Sequence, residues 1–190
     1  MPEYRRAFVP GGTFFFTLVT AHRRPFLTTL DARSALRSAL ADTARTRPFT
    51  IDAIVLLPDH LHCIWTLPPG DADFSTRWRI VKTTASRRYL ASGGREARRS
   101  RSRVRHGERG VWQRRSWEHA VRDEPEFIGL CDYIHYNPVK HGWVKCPHAW
   151  PLSSFARFVR RGRYDRAWNC ACRDRAPAVN LAAVESVVGE

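Results

Sequence analysis

Pro58-Asp59-His60-Leu61-His62-Cys63-Ile64-Trp65 sets two histidines on either side of one bulky apolar residue. In an extended segment side chains alternate between faces, so His60 and His62 project from the same face roughly 7 Å apart. Leu61, Cys63 and Trp65 then point the other way, into a hydrophobic layer. Two imidazoles at that separation can grip one divalent metal ion, or they can be two solvated strand histidines. Either way the stretch predicts a strand that anchors a core with one face and offers half a site with the other.

The flanking sequence supplies the rest of a sheet. Phe49 to Leu57 (FTIDAIVLL) reads as a strand, and Pro58-Asp59 as the tight turn joining it to the histidine strand in an antiparallel hairpin. Pro68-Pro69-Gly70 ends that hairpin. Upstream, Thr13 to Thr20 (TFFFTLVT) is a buried strand after Gly11-Gly12, and Asp31 caps a helix to about Arg45 with Leu36, Ala39, Leu40 and Thr43 on one face. Downstream, Asp71 or Asp73 opens a helix in which Phe74, Trp78, Val81 and Ala85 repeat at helical spacing. Arg77, Arg79, Lys82, Arg87 and Arg88 fall on its other faces, which suits a DNA backbone or plain solvation equally. Arg95 to Arg109 holds seven arginines and two glutamates with only Ala97 and Val104 apolar, a composition that cannot pack a core and predicts a mobile loop. Val111 to Val121 (VWQRRSWEHAV) alternates as a fourth strand.

Asp123-Glu124-Pro125-Glu126 is a helix start, with a capping aspartate, a glutamate three residues on and proline in the first turn. Phe127, Leu130, Cys131 and Ile134 form its apolar stripe. Proline disfavours helical geometry in the residue before it, so the helix should fray at Asn137-Pro138. At about 100° per residue, Tyr133 and Asn137 lie side by side toward the sheet edge, and Tyr136 points nearly opposite, toward solvent. A short helix follows from about Ser153 to Arg161, packed by Phe155, Phe158 and Val159, and Pro177 to Glu190 is a mildly amphipathic tail. The order strand, helix, strand, strand, helix, strand, helix suggests an α+β domain: an antiparallel ferredoxin-like sheet with helices packed on it and a C-terminal helical extension.

The 190 residues fit one domain and carry 32 Lys+Arg against 18 Asp+Glu, a net charge of +14. An excess of arginine on that scale points to a polyanion, because neutralising phosphates releases condensed counterions and arginine forks match phosphate and guanine. Part of the arginine count also fits a compositional bias of the source genome. Arg5, Arg6, Arg77, Arg79, Lys82, Arg114, Arg115 and Lys140 are the expected DNA contacts. Five cysteines without Cys-x-x-Cys spacing indicate a reduced, cytoplasmic protein, and Cys170-Ala-Cys172 is too tight for the usual zinc knuckle. No apolar run is long enough for a membrane span.

His60, His62, Tyr133 and Asn137 make a chemical pattern. A tyrosine hydroxyl with a pKa near 10 needs help to attack a phosphodiester. A metal on two imidazoles, with the Asn137 amide as a third ligand, supplies it as a Lewis acid. Tyr136 is the reserve nucleophile.

The histidine, bulky apolar, histidine motif resembles that of HUH endonucleases. In detail the chain is similar to REP-associated tyrosine transposases, a bacterial single-tyrosine family. The similarity runs through EYRR, GGTFFF, LPDHLHCIWTLPPGD, DFSTRW, VWQRRSWEHAVRDE, DYIHYNPVKHGWV and WPLSSFARFVRRGRY, from residue 3 to about 168. It implies a catalytic domain over 1–168 and a tail over 169–190, Tyr133 as nucleophile, His60 and His62 as metal ligands with Asn137 as the third, and Mg²⁺ or Mn²⁺ as cofactor. Histidines alone would suit Zn²⁺ at least as well. It further implies a single-stranded DNA endonuclease and strand transferase forming a 5′-phosphotyrosine at the foot of a palindromic hairpin, working as monomer or homodimer in association with the nucleoid. The alternative is a protein that binds such hairpins without cutting them.

Overall fold

The computed structural model describes residues 8–171 and, beyond them, 179, 181, 184, 187 and 188. In chain order the elements are strand β1 (Thr13–Val19), helix α1 (Leu30–Thr46), strands β2 (Thr50–Leu56) and β3 (His60–Thr66), helices α2 (Phe74–Ala91) and α3 (Arg101–Arg105), strand β4 (Trp117–Ala120), and helices α4 (Glu124–Lys140) and α5 (Phe155–Arg160). The strands form one antiparallel sheet in the order β2-β3-β1-β4. Both central strands, β1 and β3, are buried on both faces, which is why they read as near-continuous apolar runs.

The period of two along β1 and β3 divides the core into two layers. Phe14, Phe16 and Leu18 of β1 and Leu61, Cys63 and Trp65 of β3 face α1 and α2, where Trp65 stacks on Trp78 at 3.9 Å between ring centroids. Phe15 and Ile64, with Ala53, Val55 and Leu57, face α4 through Leu130, Cys131, Tyr133 and Ile134. The histidines therefore belong to the α4 side, as alternation with Leu61 and Cys63 requires.

Four local expectations are corrected. Pairing of β1 with the returning chain is broken: continuing the register Thr17↔Trp117 would set Thr20 opposite Arg114, but Trp112 sits there instead. Two residues are looped out, so β4 is short and Arg114 and Arg115 stand exposed. The arginine-rich segment has defined structure, because Glu96 pairs with Arg99 and Arg109 and accepts from the Gly110 N–H at 2.8 Å, while Ser100 caps α3. Helix α4 continues through Pro138 to Lys140, with the His141 N–H bonding the Asn137 carbonyl at 3.0 Å. Tyr136, expected at the solvent face, is buried, and desolvation raises its phenol pKa.

Candidate active site

Strand β3 holds both histidine rings 4.9 Å apart, centroid to centroid, at buried positions. Each ring is oriented through Nδ1. His60 Nδ1 lies 2.6 Å from the Asp59 carboxylate, and Arg23 closes on the same carboxylate at 3.1 Å. Burial alone would raise Asp59, but His60 and Arg23 outweigh it and hold the carboxyl below its ordinary range. An ionised carboxylate only accepts, so His60 carries its proton on Nδ1.

His62 is fixed by a different partner. Its Nδ1 is 2.9 Å from the Thr17 hydroxyl on the adjacent strand, and that hydroxyl donates its single proton to the Val188 carbonyl at 2.7 Å. Thr17 must then accept from His62 Nδ1–H. Both imidazoles are thereby set in the tautomer that keeps the lone pair on Nε2, the arrangement that outer partners impose on histidines in metal sites.

Helix α4 brings the remaining groups. The Tyr133 ring lies 5.2 Å from His62 and edge-on to Phe15 at 6.2 Å, fully buried. Asn137, one turn further, is also fully buried. Because α4 runs through Pro138, Lys140 arrives two turns after Tyr133, with its ammonium 3.5 Å from the phenol oxygen and 4.9 Å over the ring. His141 follows, its ring 5.4 Å from that of His60. The sequence-predicted quartet of His60, His62, Tyr133 and Asn137 is thus drawn to one side of the sheet, on β3 and the helix packed against it. Two imidazoles on β3 and the buried Asn137 amide on the helix packed against it offer nitrogen and oxygen donors of the kind that suit a divalent ion.

Asp59, Thr17, His141 and the role of Lys140 escaped the sequence reading. Asp59 abuts His60 and Lys140 sits seven residues from Tyr133, so both left a local trace. Thr17 left none, since its approach depends on the register of β1 against β3. The C-terminal residues were also missed: Val184 and Val188 pack in the Tyr133 layer, and Trp117 donates to the Val187 carbonyl at 2.8 Å.

The expected DNA contacts divide. Arg5 and Arg6 lie outside the described residues. Arg77 is corrected: it is 1 % exposed and all five of its N–H groups meet protein acceptors, the Asp71 carboxylate and the carbonyls of Arg47, Pro48 and Asp73. It is a clamp between the end of α1 and the start of α2, not a phosphate contact. Arg79 is exposed and lines, with Lys82 and Arg114, a groove of about 750 Å³ between α2 and the arginine-rich segment. Lys82 donates to the Gln113 carbonyl at 2.7 Å, and desolvation, then Arg103, push its ammonium down to about 8. Arg114 pairs with Glu108 at 2.6 Å, and Arg115 is exposed.

Among the described residues a separate group of potential metal ligands is Cys146, His148 and Cys170. No described helix is long and apolar enough to cross a membrane.

No protein-family model matches the chain. An Escherichia coli (strain K12) protein named REP-associated tyrosine transposase is 45 % identical over 168 residues, covering 88 % of this chain and 91 % of that one. A Haemophilus influenzae protein provisionally given the same name is 41 % identical over 169 residues, covering 88 % and 93 %. A solved structure of a REP-associated tyrosine transposase bound to a REP hairpin superposes with a TM-score of 0.72 at 42 % identity, covering 93 % of this chain and 96 % of that one. With identity of this order sustained over nearly the whole length of both relatives, and the same fold, the chain belongs to the REP-associated tyrosine transposases and is, like them, an enzyme.

Proposed function

We propose that this transposase is a metal-dependent single-stranded DNA endonuclease and strand transferase that acts at the foot of REP-type palindromic hairpins. The observation that carries the reading is the packing of the buried Tyr133 ring on His62 at 5.2 Å, within the layer that also holds His60 and Asn137. The Tyr133 oxygen attacks phosphorus, the phenol proton is lost, the bond to the 3′-oxygen breaks and that oxygen leaves with a proton as a free 3′-hydroxyl. The chain retains a 5′-phosphotyrosine, and attack by a 3′-hydroxyl reverses the sequence and rejoins the strand.

His60, His62 and Asn137 would hold Mg²⁺ or Mn²⁺. When bound, such an ion supplies Lewis-acid polarisation of the scissile phosphate. Asp59 and Thr17 keep the two imidazoles in the ligating tautomer, and the Lys140 ammonium stabilises negative charge that grows on the phenol oxygen. The surrounding apolar layer strengthens these charge interactions by excluding water. Arg79, Lys82, Arg114 and Arg115 then track the DNA backbone along the α2 groove and the looped-out residues before β4. Residues 1–168 form the catalytic domain and 169–190 its C-terminal tail.

The reading is supported by the relative solved on a REP hairpin and by the net charge of +14. Incubation with a labelled REP hairpin and Mn²⁺ is expected to give a covalent protein–DNA adduct, and Tyr133→Phe to abolish it while hairpin binding persists. Adduct of undiminished yield from that variant would remove Tyr133 as the nucleophile.

A further inference from the structure

Beyond the end of α4 the chain makes a single 3-10 turn, Pro147–Ala149, which is framed by Cys146 and carries His148. Twenty-odd residues later it returns: Ala171 N–H bonds the Lys145 carbonyl at 2.7 Å, and Asn169, in the left-handed region at φ 47°, turns the backbone into Cys170. The ligand atoms of Cys146, His148 and Cys170 all come within 4.8 Å of one another, and Cys170 Sγ lies 3.7 Å from His148 Nδ1. Around a tetrahedral zinc ion, with Zn–S near 2.3 Å and Zn–N near 2.0 Å, neighbouring ligand atoms are separated by about 3.5–3.8 Å. The sulfur–nitrogen spacing already matches that edge, and the third ligand needs only a small closing movement.

From this geometry we infer that Cys146, His148 and Cys170 bind one Zn²⁺ ion that clasps the segment following the tyrosine helix to the start of the C-terminal tail. Two thiolates and an imidazole are the soft and borderline donors that favour zinc over the Mg²⁺ or Mn²⁺ expected at the histidine pair. Both cysteines are buried at 7 % exposure while His148 is exposed, so the ion enters from the histidine side and the fourth position opens to water. Binding converts two thiols to thiolates and releases two protons per ion. The bound site is electrically neutral, since two thiolates balance the dication. The sequence offers a further thiol at Cys172, outside the described residues. The clasp is structural: it ties two segments separated in sequence, beside the helix that carries Tyr133, and takes no part in strand transfer.

The test measures metal content of the untagged full-length protein, purified from zinc-supplemented cells without chelator. About one zinc per chain is expected in His60→Ala/His62→Ala, which removes the histidine pair as a competing zinc site, falling at least tenfold when Cys146→Ser/Cys170→Ser is added to it. Replacement by Co²⁺ is expected to give thiolate charge-transfer absorption and the intense visible bands of tetrahedral cobalt, and His148→Ala to weaken and shift them. Wild type without zinc would overturn the proposal. So would zinc retained in the serine variant, zinc lost in the histidine variant, or a Cys146–Cys170 disulfide in place of two metal-protectable thiols. Should the serine variant fail to fold, the wild-type cobalt spectrum decides alone, and its lacking thiolate charge transfer overturns the site.

Discussion

The chemistry of single side chains turns on which nitrogen and which oxygen carry protons. Asp59 accepts from His60 Nδ1 at 2.6 Å, so Asp59→Ala removes the group that orients the ring. Loss of such an outer partner weakens metal binding by about 10–100-fold. The expected result is a higher Mn²⁺ concentration for half-maximal adduct formation with unchanged yield at saturation. Lys140 can be separated from the other basic residues in a similar way. If it serves the phenol 3.5 Å away, Lys140→Met slows adduct formation by about 10²-fold, the size of a lost charge-stabilising donor, and leaves the salt dependence of hairpin binding unmoved. A salt slope reduced by about one with normal adduct kinetics would make Lys140 a phosphate contact instead. The pairing of His60 and His62 on one face was legible in the sequence because alternation along a strand is local. Thr17 was not, because its meeting with His62 is set by strand pairing across 45 positions.

At the scale of elements, α4 carries Tyr133, the proposed nucleophile, and its start was legible in the sequence. The Asp123 carboxylate accepts from the Glu126 N–H at 2.9 Å, and Glu126 returns a bond to the Arg122 N–H at 2.7 Å. The first bond is the cap that Asp-x-x-Glu predicts, and the return bond falls one residue earlier than in a capping box, on Arg122 rather than on the N-cap N–H. Asp123→Ala is expected to lower stability by about 1 kcal/mol in denaturant titration. The other end misled the sequence reading. Proline costs a helix a donor and crowds the preceding turn, yet α4 runs on through Pro138 to Lys140, and that last stretch brings Lys140 and His141 to the site. The looped-out residues before β4 were equally hidden, since VWQRRSWEHAV alternates whether or not its register against β1 is continuous. The arginine-rich segment misled by composition: counting charges overlooked that Glu96 is placed to pair with two of them and to hold Gly110 as well.

For the whole molecule, the interior of the α4 side holds an ionisable group that couples the fold to pH. His135 is fully buried, with Nε2 2.8 Å from the Ser154 hydroxyl and Nδ1 3.2 Å from Tyr164, whose own proton goes to Asp132 at 2.7 Å. Desolvation, then the positive charge of Arg157, push its pKa from 6.5 down to about 3. Between those values the unfolded chain binds a proton that the folded chain does not, so stability rises with pH and is lost as pH falls below about 6.5. The slope for one such group approaches about 1.4 kcal/mol per pH unit. The carboxylates contribute with opposing signs: Glu126, held near 2 because its bonds to Arg122 and His119 outweigh burial, adds to the acid loss, whereas Asp132, raised by burial, offsets it. Comparison with a variant that lacks the imidazole isolates its share of the slope over the interval from about 6.5 to 5. Denaturant midpoints across that interval are expected to fall steadily with acidification in the wild type and to flatten in His135→Gln, whose amide can still bond both Ser154 and Tyr164. An equal slope in the two proteins would mean that His135 takes up its proton without unfolding, and that the layer behind Tyr133 admits water.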